Sequence, residues 1–224
     1  MENTHNGHRE RLREQFIKND LDGFEPHIAL ELLLCYSIPR TDTNPIAHRL
    51  INQFGSLSGV LEAPYQELLK VPGVGEKSAT LLKLIPSITR KYLSDKYEVG
   101  VVLNTTQKIG EYLLPRFIGA KTEMLYLVCM DRKRKVLHSE KLMTGAIDSV
   151  HLDIRKLVEV IMRVSATAVV LAHNHPQGFA IPSDEDRQVT AVVASALSPL
   201  SVELVDHIIV AMDDFVSLRE SGMF

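Results

Sequence analysis

The 224-residue chain is 45% hydrophobic and 24% charged, with a net charge of −3 and an isoelectric point near 6.3. That balance is ordinary for a folded globular protein and excludes a polybasic nucleic-acid binder. Residues 1–96 carry 12 Lys and Arg against 12 Asp and Glu, and residues 97–224 carry 13 against 16, so any contact with DNA has to be local.

The opening MENTHNGHRERLRE is polar and predicts no secretory signal. No apolar run approaches the roughly 20 residues that span a bilayer, so a cytoplasmic protein without membrane partners is expected. Cys35 and Cys129 sit in apolar runs and read as buried free thiols, with no disulfide framework. His5, His8, His27 and His48 show no ligand spacing and read as surface or core residues.

Residues 1–95 are predicted to form a helical domain. Arg9–Lys18 is a charged helix, and Pro26–Tyr36 an apolar one that Pro39 stops. Asn44 reads as an N-cap before a first-turn proline, opening a helix that Gly55 closes near Phe54. Short helices follow over Leu57–Leu61 and Tyr65–Leu69, then a Gly73/Gly75 turn and a helix from Glu76 to about Tyr92. Ser94–Leu103 reads as a linker. The pattern then changes to a mixed domain over 102–224: helix Thr105–Ile118, strands Met124–Met130 and Lys135–Met143 around the solvated turn Asp131–Arg134, and helix His151–Ser165. A buried strand Ala168–Ala172, helix Ser183–Leu197 and strands Val202–Val210 and Phe215–Leu218 complete an α+β organisation.

The chemistry concentrates in AHNHPQGFAIPSDED, which starts at Ala172. His173 and His175 flank one residue at a strand end, and positions i and i+2 of an extended chain share a face. Pro176, Gly178 and Pro182 make a loop, after which Ser183 is a good N-cap followed by Asp184, Glu185 and Asp186. Asp186 is placed to swing back toward the strand end. Two histidines and one carboxylate leave a fourth position for water, the open pattern of a catalytic zinc rather than a closed structural site.

The segment fits the His-x-His-x(7)-Ser-x-x-Asp motif of the MPN/JAMM metalloproteases, and the chain resembles the RadC family more narrowly. Gly7–Leu12, Leu30–Leu34, Pro39–Thr43, the Gly73/Gly75 turn, Leu171–Pro176 and Asp206–Ile209 carry that likeness over almost the full length. The resemblance implies a cytidine-deaminase-like α/β core and one zinc per chain, held by His173, His175 and Asp186. It also implies an oxyanion-stabilising role for Ser183 and an upstream glutamate as general base. Glu123 and Glu140 both qualify, and Glu123 is favoured because it opens the first strand after the amphipathic helix, where the MPN fold carries its glutamate. Departures lie at Gly145-Ala146 and His151-Leu152, where the family usually shows Gly-Thr and His-Pro, and bear on substrate contacts. Asp206 and His207 are candidates for partners of the ligating imidazoles.

Leu68–Ala79 resembles the turn of helix-hairpin-helix DNA-binding modules. Gly73 and Gly75 would let the backbone approach closely, the next helix N-terminus offers N–H groups to phosphate, and Lys77 and Lys83 add charge. The expected function is a zinc-dependent hydrolase cleaving an amide or isopeptide bond in a protein or peptide, with weak non-specific DNA contact. The competing reading is a non-catalytic DNA-associated repair or recombination accessory protein, and a third is a zinc nuclease.

Overall fold

The computed structural model describes residues 4–97, 99–145, 147, 152–176, 178–212 and 214–224. The chain divides into two compact units, Met1–Ile88 and Thr89–Phe224.

The first unit is helical: α1 (Thr4–Asn19), α2 (Pro26–Cys35), α3 (Asn44–Phe54), α4 (Leu57–Glu62), α5 (Tyr65–Leu69) and the start of α6 (Glu76–Tyr97). Leu30, Leu34, Leu50, Leu68 and Leu82 fill its core. The buried carboxylate of Glu31 is held by His8 Nε2 at 2.9 Å and by the Asn44 amide at 2.7 Å, while the Arg9 guanidinium donates to the carbonyls of Ile38 and Thr41. Asn44 is therefore not the cap of α3. Thr43 occupies that position and makes no side-chain capping bond, its hydroxyl donating instead to the Glu31 carbonyl at 3.2 Å, while the Asn44 amide serves the buried Glu31 carboxylate. His27 and His48 stack with ring centroids 4.2 Å apart.

The expected linker begins too early. α6 runs to Tyr97, past Tyr92 and through Pro86, and its polar last turn has no apolar period by which the sequence could announce it. The predicted helix Thr105–Ile118 also splits. α7 spans Thr106–Leu113 and gives way to a 3-10 turn over Leu114–Phe117, since Pro115 has no N–H for an α-helical bond.

The second unit is built on one five-stranded sheet. Its strands are β1 (Met124–Met130), β2 (Val136–Thr144), β3 (Ala168–Asn174), β4 (Glu203–Ala211) and β5 (Asp214–Ser217), in the order β2-β1-β3-β4-β5. β3 and β4 are parallel; the other neighbours are antiparallel. α8 (Ile154–Arg163) and α9 (Asp184–Leu197) complete the unit. Alternation along β1 and β3 separates two cores. Leu125, Leu127, Val169 and Leu171 pack with α8 and α9, while Val128, Met130, Val170 and Ala172 pack with α7. His173 thus falls on the α9 side. Beside β3 the β4 register steps from Val169↔Leu204 to Val170↔Asp206. Val205 is the extra residue, and such a bulge reverses which side chains face which core. Of the two family departures, Ala146 lies outside the described residues, whereas Leu152 is buried against the α8 side of the sheet core. No helix among the described residues is long and apolar enough to cross a membrane.

Candidate metal centre

β3 delivers His173, and the chain past the strand end delivers His175. The His175 N–H still bonds the Val210 carbonyl of β4 at 2.8 Å, so the extended spacing that puts both rings on one side persists beyond the last strand residue. From α9 comes Asp186. Ser183 caps that helix by accepting the Asp186 N–H at 3.1 Å, and the Asp186 carboxylate accepts the Ser183 N–H at 2.7 Å. This reciprocal capping box anchors the carboxylate at the helix start. One candidate ligand atom from each of His173, His175 and Asp186 lies within 4.8 Å of the others. Nε2 of His173 is 2.9 Å from Asp186 Oδ1 and 3.0 Å from Nε2 of His175.

The other ring nitrogens point away from this focus. Nδ1 of His175 meets the Phe179 carbonyl at 3.1 Å, and Nδ1 of His173 meets Nε2 of His207 at 2.8 Å. A carbonyl accepts only, so His175 carries its proton on Nδ1 and presents a lone pair at Nε2. Two imidazole nitrogens 3.0 Å apart beside a buried carboxylate form an electron-rich focus whose N and O donors suit zinc.

The electrostatics agree with a cation-seeking site. Burial opposes ionisation of Asp186, but the His173 and His175 rings beside it outweigh burial and hold the carboxyl far below its usual range. The adjacent Asp186 carboxylate favours the protonated His175 ring and raises its pKa above 6.5 against the effect of burial. Complete burial holds His207 well below that value, and with it neutral.

A cleft of 660 Å³ opens on the cluster and is lined by His173, His175, Ser183, Asp186, Glu123 and Ile147, among others. Glu123 is half-buried and tied twice to one loop. Its carbonyl accepts from Gly145 N at 2.9 Å and its Oε2 from Ile147 N at 3.0 Å. Gly145 sits at φ 114°, a backbone conformation that other residues resist. Glu140 does not line this cleft. It lies on β2 between His138 at 3.1 Å and Arg163 at 2.8 Å. Burial works against its charge, yet those two bonds hold its pKa below the ordinary value.

A match to the family model for the RadC-like JAB domain covers residues 103–223. A UPF0758 protein of Fusobacterium nucleatum is 34% identical over 231 residues, 99% of each chain. The chain belongs to the RadC family. In this RadC-family chain, two further residues complete the site. Asn174, the residue between the two histidines, accepts from Met124 N at 2.8 Å and donates to the Thr122 carbonyl at 3.2 Å, bracketing Glu123 on both sides. Thr190, one turn beyond Asp186, bonds the Asp186 carbonyl at 2.6 Å. Neither has a signal in spacing alone: Asn174 acts through the backbone of another segment, and Thr190 through a carbonyl of its own helix. Of the Asp206–His207 pair, His207 faces the site. Asp206 turns the other way, to Ser217 and the Arg219 N–H, and burial raises its pKa in spite of those bonds.

The predicted DNA-contact residues lie elsewhere. Gly73 has φ 95°, and a Cβ there would sit 2.8 Å from Ile46 Cδ1, so the turn requires glycine. Gly75 has no such need, with nothing within 4 Å of its missing Cβ. Lys77 is exposed. Lys83 is not a spare surface charge, since its ammonium donates to the Leu61 and Ala63 carbonyls at 2.8 and 3.0 Å, closing the end of α4.

Proposed function

We propose that the chain is a zinc-dependent hydrolase of amide or isopeptide bonds in a protein or peptide substrate, acting in the cytoplasm. One observation carries this reading: two histidine Nε2 atoms and a buried carboxylate converge at the floor of a cleft whose wall includes Glu123. His173, His175 and Asp186 would hold the ion. When bound, zinc supplies a Lewis acid that brings the pKa of water to about 7 and polarises a carbonyl.

The chain's own residues perform the remaining steps. Ile147 N–H occupies Oε2 of Glu123, which orients the carboxylate and leaves its other oxygen to take a proton from the attacking water. The same group then returns that proton to the leaving nitrogen. Ser183 Oγ accepts the Asp186 N–H, so its hydroxyl proton remains to be donated to the oxyanion.

The test is turnover of a degenerate library of fluorogenic peptides and isopeptide-linked peptides by the zinc-loaded full chain. Cleavage is expected, with loss on chelation and in Glu123→Gln while zinc content stays unchanged. No cleavage of any library member, or full cleavage by Glu123→Gln, contradicts this assignment.

The second reading is a DNA-associated accessory protein, favoured by one specific observation. The left-handed Gly73 turn leads directly into α6, whose first turn carries the exposed Lys77. This supports reading the segment as a helix-hairpin-helix, in which helix N–H groups would meet phosphate. DNA contact alone is compatible with a hydrolase that works near DNA; absence of catalysis is what separates the two readings.

A further inference from the structure

Behind the three ligands, β3, β4 and α9 share a directed chain of hydrogen bonds. We propose that Thr190 and His207 are positioning residues that fix His173 as its Nδ1–H tautomer and thereby keep its Nε2 lone pair aimed at the metal. This rests on the zinc reading above.

The direction follows from one atom that cannot donate. Thr190 Oγ1 lies 2.6 Å from the Asp186 carbonyl oxygen and 2.7 Å from His207 Nδ1. The hydroxyl proton must go to the carbonyl, so the hydroxyl oxygen accepts and His207 Nδ1 is the donor. His207 is fully buried, and its side-chain partners among the described residues are Thr190 and His173. A buried imidazole without a carboxylate partner is neutral, and with its proton on Nδ1 it has a lone pair on Nε2. That nitrogen is 2.8 Å from His173 Nδ1 and accepts from it. The remaining lone pair of His173 therefore lies on Nε2, the atom 2.9 Å from Asp186 Oδ1. The chain begins at the Asp186 carbonyl and ends at the His173 Nε2 lone pair, beside the Asp186 carboxylate that would share the ion.

Two features of the fold build this circuit. Asp186 and Thr190 are four residues apart on α9, so they occupy the same helix face. The extra residue Val205 turns His207, rather than Asp206, toward α9. A ring held this way cannot rotate to offer the wrong nitrogen, and partners of this kind typically tune metal affinity by about 10–100-fold.

The test combines zinc affinity, measured by competition with a chromophoric chelator, with the 15N-histidine spectrum of the metal-free full chain at alkaline pH. In wild type, His173 and His207 should both show the Nδ1–H tautomer. His207→Leu should weaken zinc binding by about 10–100-fold. His207→Gln, whose amide can both donate to Thr190 and accept from His173, should restore most of that loss. Thr190→Val, which keeps the shape of the side chain, should fall between the two and decides the matter if His207→Leu does not fold. Zinc bound by wild type with unchanged affinity in folded His207→Leu and Thr190→Val overturns the positioning role alone, as does an Nε2–H tautomer at His173. Absence of zinc from wild type with the expected tautomers overturns the metal reading and the positioning role with it.

Discussion

The two candidate ligand imidazoles differ in how their protons are held. His173 is buried and contacted from behind by His207, whereas His175 is more accessible, and the adjacent Asp186 carboxylate raises its pKa above 6.5. The stabilisation that His175 contributes to the metal-free fold is complete below its unfolded pKa of about 6.5 and is lost as pH rises through the raised folded value. Zinc requires the deprotonated ring, so the effect on metal binding has the opposite sign. Apparent zinc affinity should fall as pH drops through the raised His175 value, with protons released on binding; chelator competition over a pH series checks it, and a flat profile contradicts it. Glutamate substitution separates the two candidate bases. Glu123→Gln should abolish turnover and keep zinc, whereas Glu140→Gln should keep both and lose only the bonds to His138 and Arg163. The clustering of His173, His175 and Asp186 was legible in the sequence because strand period and capping chemistry are local rules. The choice between Glu123 and Glu140 was not decided by such a rule, because both occupy strand-proximal positions and only the loop through Ile147 brings one of them to the cleft.

Among the secondary-structure elements, the alignment of β1 against β3 matters most. Asn174 spans the gap by bonding the backbone on both sides of Glu123. Asn174→Leu should leave Met124 N–H and the Thr122 carbonyl without partners, at a cost of about 1–3 kcal/mol. A thermal melt should show that loss, and zinc-loaded turnover should fall further than zinc content, because the displaced residue is Glu123. Equal stability and turnover would remove Asn174 from the site. Sequence periodicity recovered every strand of the sheet to within a few residues, since alternation and turn residues signal them directly. It could not decide between Asp206 and His207, because the parity of β4 depends on one inserted residue, Val205. It also ended α6 too early, because Ser94–Tyr97 has no apolar face to read.

Over the whole molecule, a helical unit and a sheet-based unit share an electrically balanced chain. The N-terminal motifs by which the sequence resembles the RadC family largely build structure: His8 and Arg9 tie α1 down, Glu31 anchors Asn44, and Gly73 fits against Ile46. DNA binding through the Gly73 turn is therefore expected to be weak, to fall steeply with salt, and to drop further in Lys77→Glu; unchanged binding in that variant on a duplex titration excludes the turn. The central claim is the metal. Elemental analysis of the purified full chain at neutral pH should find about one zinc per chain, lost in folded His173→Ala. Wild-type protein that folds with all three ligands and holds no zinc, even after incubation with the ion, would contradict the account.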